Sequence, residues 1–146
     1  MPLQNYIEKI NQLYLSEHSG EHTYRSDLQN LLKTLIPQDI KIINEPTKVK
    51  CGKPDYMLER NEIELGSIET KDIGKDLSSK EYAEQFERYK KGFPNLILTD
   101  YLYFELYRHG EKKISVRIAE IKNNAIVPIP EKYIEFIELI NDFMAY

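Results

Sequence analysis

The sequence predicts an α/β fold, on the border of the α+β class, in which helices flank a mixed central β-sheet. Three observations support this class. Amphipathic segments with helical spacing open and close the chain. Two hairpin patterns and one short apolar run, Leu96-Ile97-Leu98, lie between those segments. A further helical segment interrupts the strands, which favours a sheet of mixed direction.

The elements before the first hairpin are bounded by breaking residues. A helix within residues 1–20 carries apolar side chains at i, i+3, i+4 and i+7. A second helix is predicted from Glu21 to Leu35, because Pro37 stops it. Residues 38–44 alternate weakly between apolar and polar side chains, which predicts a strand.

The middle of the chain combines a hairpin, a helix and a buried strand. Residues 55–71 predict the hairpin, with its bend near Glu62. Ser78 and Glu81 form a capping-box pattern for a helix that ends just before Gly92. The apolar run within residues 95–99 predicts a central strand that is buried on both faces.

A second hairpin and a helix complete the predicted fold. The hairpin strands are expected at residues 101–108 and 113–121, joined by a turn at Gly110. A closing helix is expected at residues 131–144. The side chains predicted to form its buried face are Tyr133, Ile137, Ile140 and Met144.

Composition indicates a globular protein of about one domain. The chain has 146 residues, of which 41% are hydrophobic and 30% are charged, so it is unlike disordered sequences. No apolar run approaches the roughly 20 residues that span a bilayer, and the N-terminus lacks the pattern of a signal peptide. Cys51 is the only cysteine, which excludes an internal disulfide. A cytoplasmic location without membrane contact is therefore expected.

The most informative motif is Pro54-Asp55 followed by Glu69-Thr70-Lys71. On a strand, residues i and i+2 share a face, so Glu69 and Lys71 point toward one spot. A bend near Glu62 sets Asp55 opposite Glu69, about 5 Å away. Two carboxylates at that distance repel each other unless a cation or a proton lies between them. The motif therefore indicates a metal-assisted site for phosphodiester cleavage.

Two observations keep a structural interpretation of this motif open. Glu-x-Lys also occurs at Glu111 and at Glu120, where no Pro-Asp hairpin precedes it. Asp after Pro is also an ordinary turn residue. Glu21 lies on the inward phase of the second helix, but an acid in a first helical turn is also favoured by the helix dipole.

The chain resembles the PD-(D/E)xK nuclease superfamily. The residues behind this resemblance follow in the order Glu21, Asp55, Glu69, Lys71, Gln85 and Tyr89. The chain is most similar to the N-terminal nuclease domain of single-chain restriction-modification enzymes, which precedes an adenine-N6 methyltransferase. The strings that carry the resemblance are Glu21-His22-Thr23-Tyr24-Arg25, Asn44-Glu45-Pro46, Cys51-Gly52-Lys53-Pro54-Asp55-Tyr56, Ile68-Glu69-Thr70-Lys71-Asp72-Ile73-Gly74 and Asn95-Leu96-Ile97-Leu98-Thr99-Asp100-Tyr101. They cover roughly residues 20 to 110.

The resemblance implies a restriction-endonuclease-like sheet and a set of site residues. Asp55, Glu69 and the backbone carbonyl of Thr70 are implied metal ligands, with Glu21 completing the shell directly or through water. Lys71 is implied to position the attacking water and to stabilise charge. These hard oxygen donors suit Mg²⁺, with Mn²⁺ as a substitute.

The same resemblance implies supporting residues on the third helix. Gln85 and Tyr89 match a Gln-x-x-x-Tyr motif that lies beside the site in some branches of the superfamily. A solvated glutamine beside a core tyrosine is the structural alternative. Four basic residues are candidates for contact with DNA phosphates, although surface lysines are usually only solvated: Lys50, Lys53, Lys75 and Arg88.

The implied function is hydrolysis of double-stranded DNA by an Mg-dependent endonuclease of a restriction-modification system. The implied domain spans residues 1–146, with an N-terminal helix at 1–20, a catalytic core at 21–122 and a closing helix at 131–146. The cofactor loop and Asn-Pro-Pro-Tyr-type motif of a methyltransferase do not occur, so an adenine methyltransferase and target-recognition region would act from elsewhere, in cis or in trans. The alternatives are a non-catalytic DNA-binding or docking module, and a stand-alone repair or recombination nuclease.

Overall fold

The structure, a computed structural model, describes residues 1–16 and 23–146 and has the α/β class that the sequence predicts. Its helices are α1 (Pro2–Leu15), α2 (Arg25–Leu35), α3 (Ala83–Gly92) and α4 (Tyr133–Met144). Its strands are β1 (Ile40–Asn44), β2 (Tyr56–Arg60), β3 (Ile63–Thr70), β4 (Asn95–Thr99), β5 (Tyr103–Arg108), β6 (Glu111–Arg117), β7 (Ala119–Lys122) and β8 (Ala125–Pro128). Short 3₁₀ turns at Lys80–Tyr82 and Pro130–Lys132 lead into α3 and α4.

The first six strands form one mixed sheet in the order β1-β2-β3-β4-β5-β6. Strands β3 and β4 are parallel, and the other neighbours in this sheet are antiparallel. A parallel pair needs a long crossover, which here carries α3. The ends of β3 and β4 therefore lie side by side, with Thr70 paired to Thr99.

Helices cover both faces of the sheet. One core cluster joins α1, α2 and α4 to the face that carries Tyr56, Ile68 and Ile97. A smaller cluster joins α3 to the opposite face, where Leu96 and Leu98 lie. All five residues of β4 are buried, which confirms the predicted central strand. Among the described residues, no helix is both long enough and apolar enough to cross a membrane.

The structure corrects one predicted detail of the helices and extends another. Ser79, not Ser78, caps the turn before α3 by accepting from the backbone nitrogen of Glu81, because the hydroxyl of Ser78 donates to Asp76 instead. The buried face of α4 also differs, because this helix carries apolar residues on adjoining faces. Its fully buried residues are Phe136, Leu139, Ile140 and Phe143, whereas the predicted Tyr133, Ile137 and Met144 are partly buried against the same core cluster.

The second strand of the second hairpin divides in two. After β6, the chain leaves the main sheet at Ile118, whose backbone nitrogen donates to the carbonyl of Leu102. Strand β7 then pairs with β8, a strand that the sequence did not predict. Because β8 packs on α1, this small sheet extends the layer opposite α3.

Candidate active site

The register of the β2–β3 hairpin positions Asp55 relative to Glu69. A two-residue turn, Asn61-Glu62, joins the strands with positive φ angles of 52° and 66°. This turn alone would set Asp55 opposite Ile68. A bulge at Leu65 adds one residue to β3, so that Tyr56 pairs with Ile68 as the last pair of the ladder. Continued by one residue, this register sets Asp55 opposite Glu69. A shift of one residue reverses the face of every side chain, so the bulge sets the register in which Glu69 faces Gln85 of α3.

Asp55 is buried and bonded through both of its oxygens. Its Oδ2 accepts from the backbone nitrogen and from the hydroxyl of Thr70, each at 2.7 Å. Its Oδ1 is ion-paired with the guanidinium of Arg25, at the start of α2. Arg25 also contacts Glu45, with 3.4 Å between Nη1 and Oε1. These bonds fix the orientation of the Asp55 carboxylate.

Glu69, Lys71 and Gln85 form a closed triangle of polar contacts. Lys71 Nζ lies 3.3 Å from Glu69 Oε2 and donates to Gln85 Oε1 at 2.8 Å. The amide of Gln85 in turn donates to the same Glu69 oxygen at 3.3 Å. The ammonium also lies 4.9 Å from the centroid of the Tyr82 ring, which shields it from solvent on that side.

Tyr89 acts on the loop before Asp55 rather than on the acids. Its hydroxyl donates to the carbonyl of Lys53 at 2.9 Å. Burial, followed by the charge of Glu69, raises the pKa of this hydroxyl above its ordinary value, so it remains a donor. Gly52 makes this approach possible, because a Cβ there would lie 2.4 Å from a Tyr89 ring carbon.

Two tyrosines support Thr70 from the opposite side of the sheet. Tyr101 donates to the hydroxyl of Thr70 at 3.1 Å. Tyr6 on α1 donates to the backbone carbonyl of Tyr101 at 2.8 Å. The Thr70 hydroxyl can therefore accept from one neighbour while it donates to Asp55.

Sequence reasoning gave no role to Arg25, to the Thr70 side chain or to Tyr101. Arg25 lies in the segment Glu21-His22-Thr23-Tyr24-Arg25, which carries part of the resemblance. Its position four residues after Glu21 in the sequence was an available signal. Glu21 itself lies outside the described residues. The described part of the predicted site therefore consists of Asp55, Glu69 and Lys71, without the third predicted acid, Glu21.

The donor set fits a hard divalent cation in type. Two buried carboxylates, Asp55 and Glu69, occupy opposed positions, and each contacts a cationic side chain. Together with the carbonyl of Thr70, they offer the oxygen ligands that Mg²⁺ prefers. Within residues 1–16 and 23–146, no group of three or more acidic, histidine or cysteine side chains is placed to hold a metal ion. A metal here would need backbone or solvent ligands, or a residue beyond those ranges.

The other two Glu-x-Lys motifs occupy different surroundings. Glu120 and Lys122 form an exposed ion pair of 2.9 Å on β7. Glu111 is exposed, and Lys113 pairs instead with Asp142 on α4 at 3.0 Å. The Glu69 copy is therefore distinguished by burial and by the opposed Asp55.

The four basic residues proposed for DNA contact lie in different places. Lys50 and Arg88 line one groove between the loop before β2 and α3, where Arg88 is tied to Glu84 and to the carbonyl of Cys51. Lys75 lines a separate cavity of about 510 Å³ beside β5 and β6. Lys53 is exposed in the loop before Asp55. They do not form one continuous cluster with the acids.

Comparisons with known proteins support the fold. No family model matches this chain, and no curated protein matches it. Among solved structures, it is similar to a chain of a cryoEM structure of a DrdV–DNA complex, with a TM-score of 0.75 and 18% sequence identity. The match covers 99% of this chain and 14% of that chain. The chain thus shares the fold of a small part of a much longer protein.

Proposed function

We propose that this chain is a metal-dependent DNA endonuclease domain that hydrolyses phosphodiester bonds. The observation that carries the proposal is the polar cluster at the ends of β2 and β3. There, Asp55 is oriented by Thr70, and Glu69 shares one oxygen between Lys71 and Gln85. Buried acids that can hold a metal ion, beside an ammonium in a fixed position, are groups suited to hydrolysis of a phosphodiester.

In this proposal, Asp55 and Glu69 hold the cation, with the Thr70 carbonyl as a further ligand. Mg²⁺, or Mn²⁺ in its place, supplies charge neutralisation at the phosphate and lowers the pKa of a bound water. Thr70 fixes the orientation of the Asp55 carboxylate before the cation binds. Glu21 is proposed as an additional ligand.

Lys71 stabilises the negative charge that develops on the phosphate. Its ammonium is held by Glu69 and Gln85 and lies against the Tyr82 ring, so its position is fixed before substrate arrives. A preorganised donor in a partly dry site is effective because it needs no rearrangement during the reaction. Lys71 also orients the attacking water. Tyr89 positions the loop that carries Asp55.

The proposed substrate is double-stranded DNA. Support comes from the fold shared with a protein solved in complex with DNA. Because the match covers only 14% of that chain, we propose that a target-recognition region and an adenine methyltransferase of a restriction-modification system act with this domain, in cis or in trans. Lys50, Lys53, Lys75 and Arg88 are the proposed phosphate contacts, which position DNA without selecting a sequence.

Cleavage of supercoiled plasmid with Mg²⁺ tests the proposal. The variants are Asp55→Ala, Glu69→Ala and Lys71→Ala, with Lys122→Ala as a control from an exposed copy of the same motif. We expect wild type and the control to nick the plasmid alike. Loss of Lys71 should reduce the rate on the order of 10²–10³-fold. Equal cleavage by all five proteins would remove the cluster from the mechanism.

A second candidate function is a non-catalytic DNA-binding or docking module. It is favoured by the saturation of Asp55, whose two oxygens are both bonded to groups of the chain itself. Calorimetry with Mg²⁺ separates the two functions. A nuclease site binds the cation and loses it in Asp55→Ala, whereas a docking module gives no heat that depends on Asp55.

A further inference from the structure

Arg25 is anchored next to Asp55 from two directions. Its guanidinium contacts Asp55 Oδ1 through Nη2 and Glu45 through Nη1. Its backbone carbonyl accepts from the hydroxyl of Tyr56, the residue after Asp55, at 2.6 Å. The Arg25 side chain is 15% exposed and the Asp55 side chain 11%, whereas Glu45 is 61% exposed. The contact with Asp55 is therefore the buried end of this ion-pair network.

The two oxygens of Asp55 have different partners. Oδ2 accepts both hydrogen bonds from Thr70, which is fixed in the middle of the fold. Among the described residues, the partner of Oδ1 is the guanidinium of Arg25. A cation that arrives from solvent would bind at Oδ1, because binding at Oδ2 would break two buried hydrogen bonds.

We infer that Arg25 competes with the divalent cation for Asp55 Oδ1. In the metal-free protein, its guanidinium neutralises a carboxylate that would otherwise be buried with uncompensated charge. When the cation binds, Arg25 gives up this oxygen and keeps Glu45 as its partner. This inference rests on the metal site of the proposed function, and makes Arg25 a positioning residue that sets metal affinity.

Charge explains why such a competitor is useful. Without metal, the carboxylates of Asp55, Glu69 and Glu45 face the cations Arg25 and Lys71. Like charges this close oppose one another, so a resident cation stabilises the folded hairpin. The cost is a weaker divalent site, because the incoming ion must replace an existing charge-assisted hydrogen bond.

Manganese binding by matched variants tests this inference. Arg25→Met keeps an unbranched apolar stem and removes the charge, and Arg25→Lys keeps the charge without the planar fork. Arg60→Met is the control, because it removes a more exposed ion pair with Asp39 at the other end of β2. Free Mn²⁺ is counted by electron paramagnetic resonance during a titration of each protein.

We expect Arg25→Met to bind Mn²⁺ about tenfold more tightly than wild type, the factor allowed by one broken charge-assisted hydrogen bond. Arg25→Lys should fall between them, and Arg60→Met should match wild type. A merely structural role for Arg25 predicts the opposite change, since a distorted site binds metal less well. Unchanged or weaker binding by a folded Arg25→Met protein would overturn the inference and leave the proposed function standing.

A measurement on the unmodified protein covers the case in which Arg25→Met does not fold. In protein labelled with ¹⁵N, the side-chain NMR signals of the Arg25 guanidinium should change their chemical shifts as Mg²⁺ is added. The corresponding signals of Arg60 should keep theirs. Metal binding that leaves the Arg25 resonances unmoved would contradict competition. Absence of metal binding by wild type and by Arg25→Met would instead contradict the metal site of the proposed function itself.

Discussion

Thr70 donates two hydrogen bonds to a single oxygen of Asp55, one from its backbone nitrogen and one from its hydroxyl, each at 2.7 Å. The backbone bond depends on the hairpin, and the hydroxyl bond depends on the identity of residue 70. The relationship couples the geometry of the β2–β3 pair to the direction of the Asp55 carboxylate. It leaves Oδ1 as the oxygen that faces the start of α2.

Thr70→Val tests this coupling with little change in volume. The variant loses the hydroxyl, which is one acceptor of the Tyr101 hydroxyl. We expect the free energy of unfolding to fall by about 1–3 kcal/mol, because buried polar groups lose their partners. Urea unfolding measures the change in stability, and Mn²⁺ titration measures the change in metal affinity. Thr70→Ser, which keeps the hydroxyl, should retain most of the metal affinity; if it binds metal no better than Thr70→Val, the hydroxyl does not orient Asp55.

Gln85→Ala tests the triangle around Lys71. Its removal takes one acceptor from the ammonium and one donor from Glu69. We expect a loss of plasmid cleavage on the order of tenfold, with a smaller effect on unfolding. Gln4→Ala is the control, since Gln4 contacts Glu8 on an exposed face of α1. Cleavage at the wild-type rate by Gln85→Ala would show that Lys71 is positioned without it.

Gly52→Ala tests how Tyr89 holds the loop before Asp55. Gly52 has a φ of +138°, and a Cβ would lie 2.4 Å from the Tyr89 ring, so the substitution combines backbone strain with a collision. Gly74→Ala is matched to it, with a positive φ but 3.4 Å to the nearest side-chain atom. Strain alone costs about 1–3 kcal/mol, so we expect Gly52→Ala to lose clearly more stability in urea than Gly74→Ala. Equal losses would mean that the ring moves aside freely.

Asp100 and Asp76 should give opposite dependences of stability on pH. Burial raises the pKa of Asp100 above its ordinary value, so the folded state holds its proton to higher pH than the unfolded state does. Its contribution to stability therefore declines as pH rises from about 3.9, the unfolded pKa, through the folded pKa. Asp100→Asn removes that decline, while its amide oxygen can still accept from Leu102 and Tyr103.

Hydrogen bonds from Ser78 instead lower the pKa of Asp76. Its stabilisation is present above the unfolded pKa and is lost as pH falls through the folded pKa. Urea unfolding at about pH 2 and about pH 8, on either side of both pKa windows, should show Asp100→Asn gaining on wild type as pH rises, and Asp76→Asn losing. A parallel pH response in the two variants would contradict this assignment.

The sequence was sufficient for the elements with strong periodicity and for the register of the hairpin that carries the motif. The Pro54-Asp55 and Glu69-Lys71 spacing predicted two opposed acids on a hairpin, and the register of β2 and β3 agrees. The prediction assumed a bend centred on Glu62, whereas the structure combines a tighter turn with a bulge at Leu65. A bulge depends on packing against neighbouring elements, so no local pattern announced it.

Other features required contacts between distant parts of the chain. The ion pair between Arg25 and Asp55 spans 30 residues, and the position of Arg25 after Glu21 did not identify Asp55 as its partner. The prediction for α4 missed its most deeply buried stripe because two adjoining apolar stripes fit helical spacing equally well, and only packing on the sheet buries Phe136 and Phe143 fully. Strand β8 exists because β7 and α1 offer it partners.

Anomalous diffraction from a crystal soaked in Mn²⁺ tests the central claim most directly. The account predicts a manganese peak between the carboxylates of Asp55 and Glu69, with the guanidinium of Arg25 withdrawn from Asp55 Oδ1. A soaked crystal with manganese bound only elsewhere, and with Arg25 still paired to Asp55, would contradict a metal-dependent nuclease site at these residues.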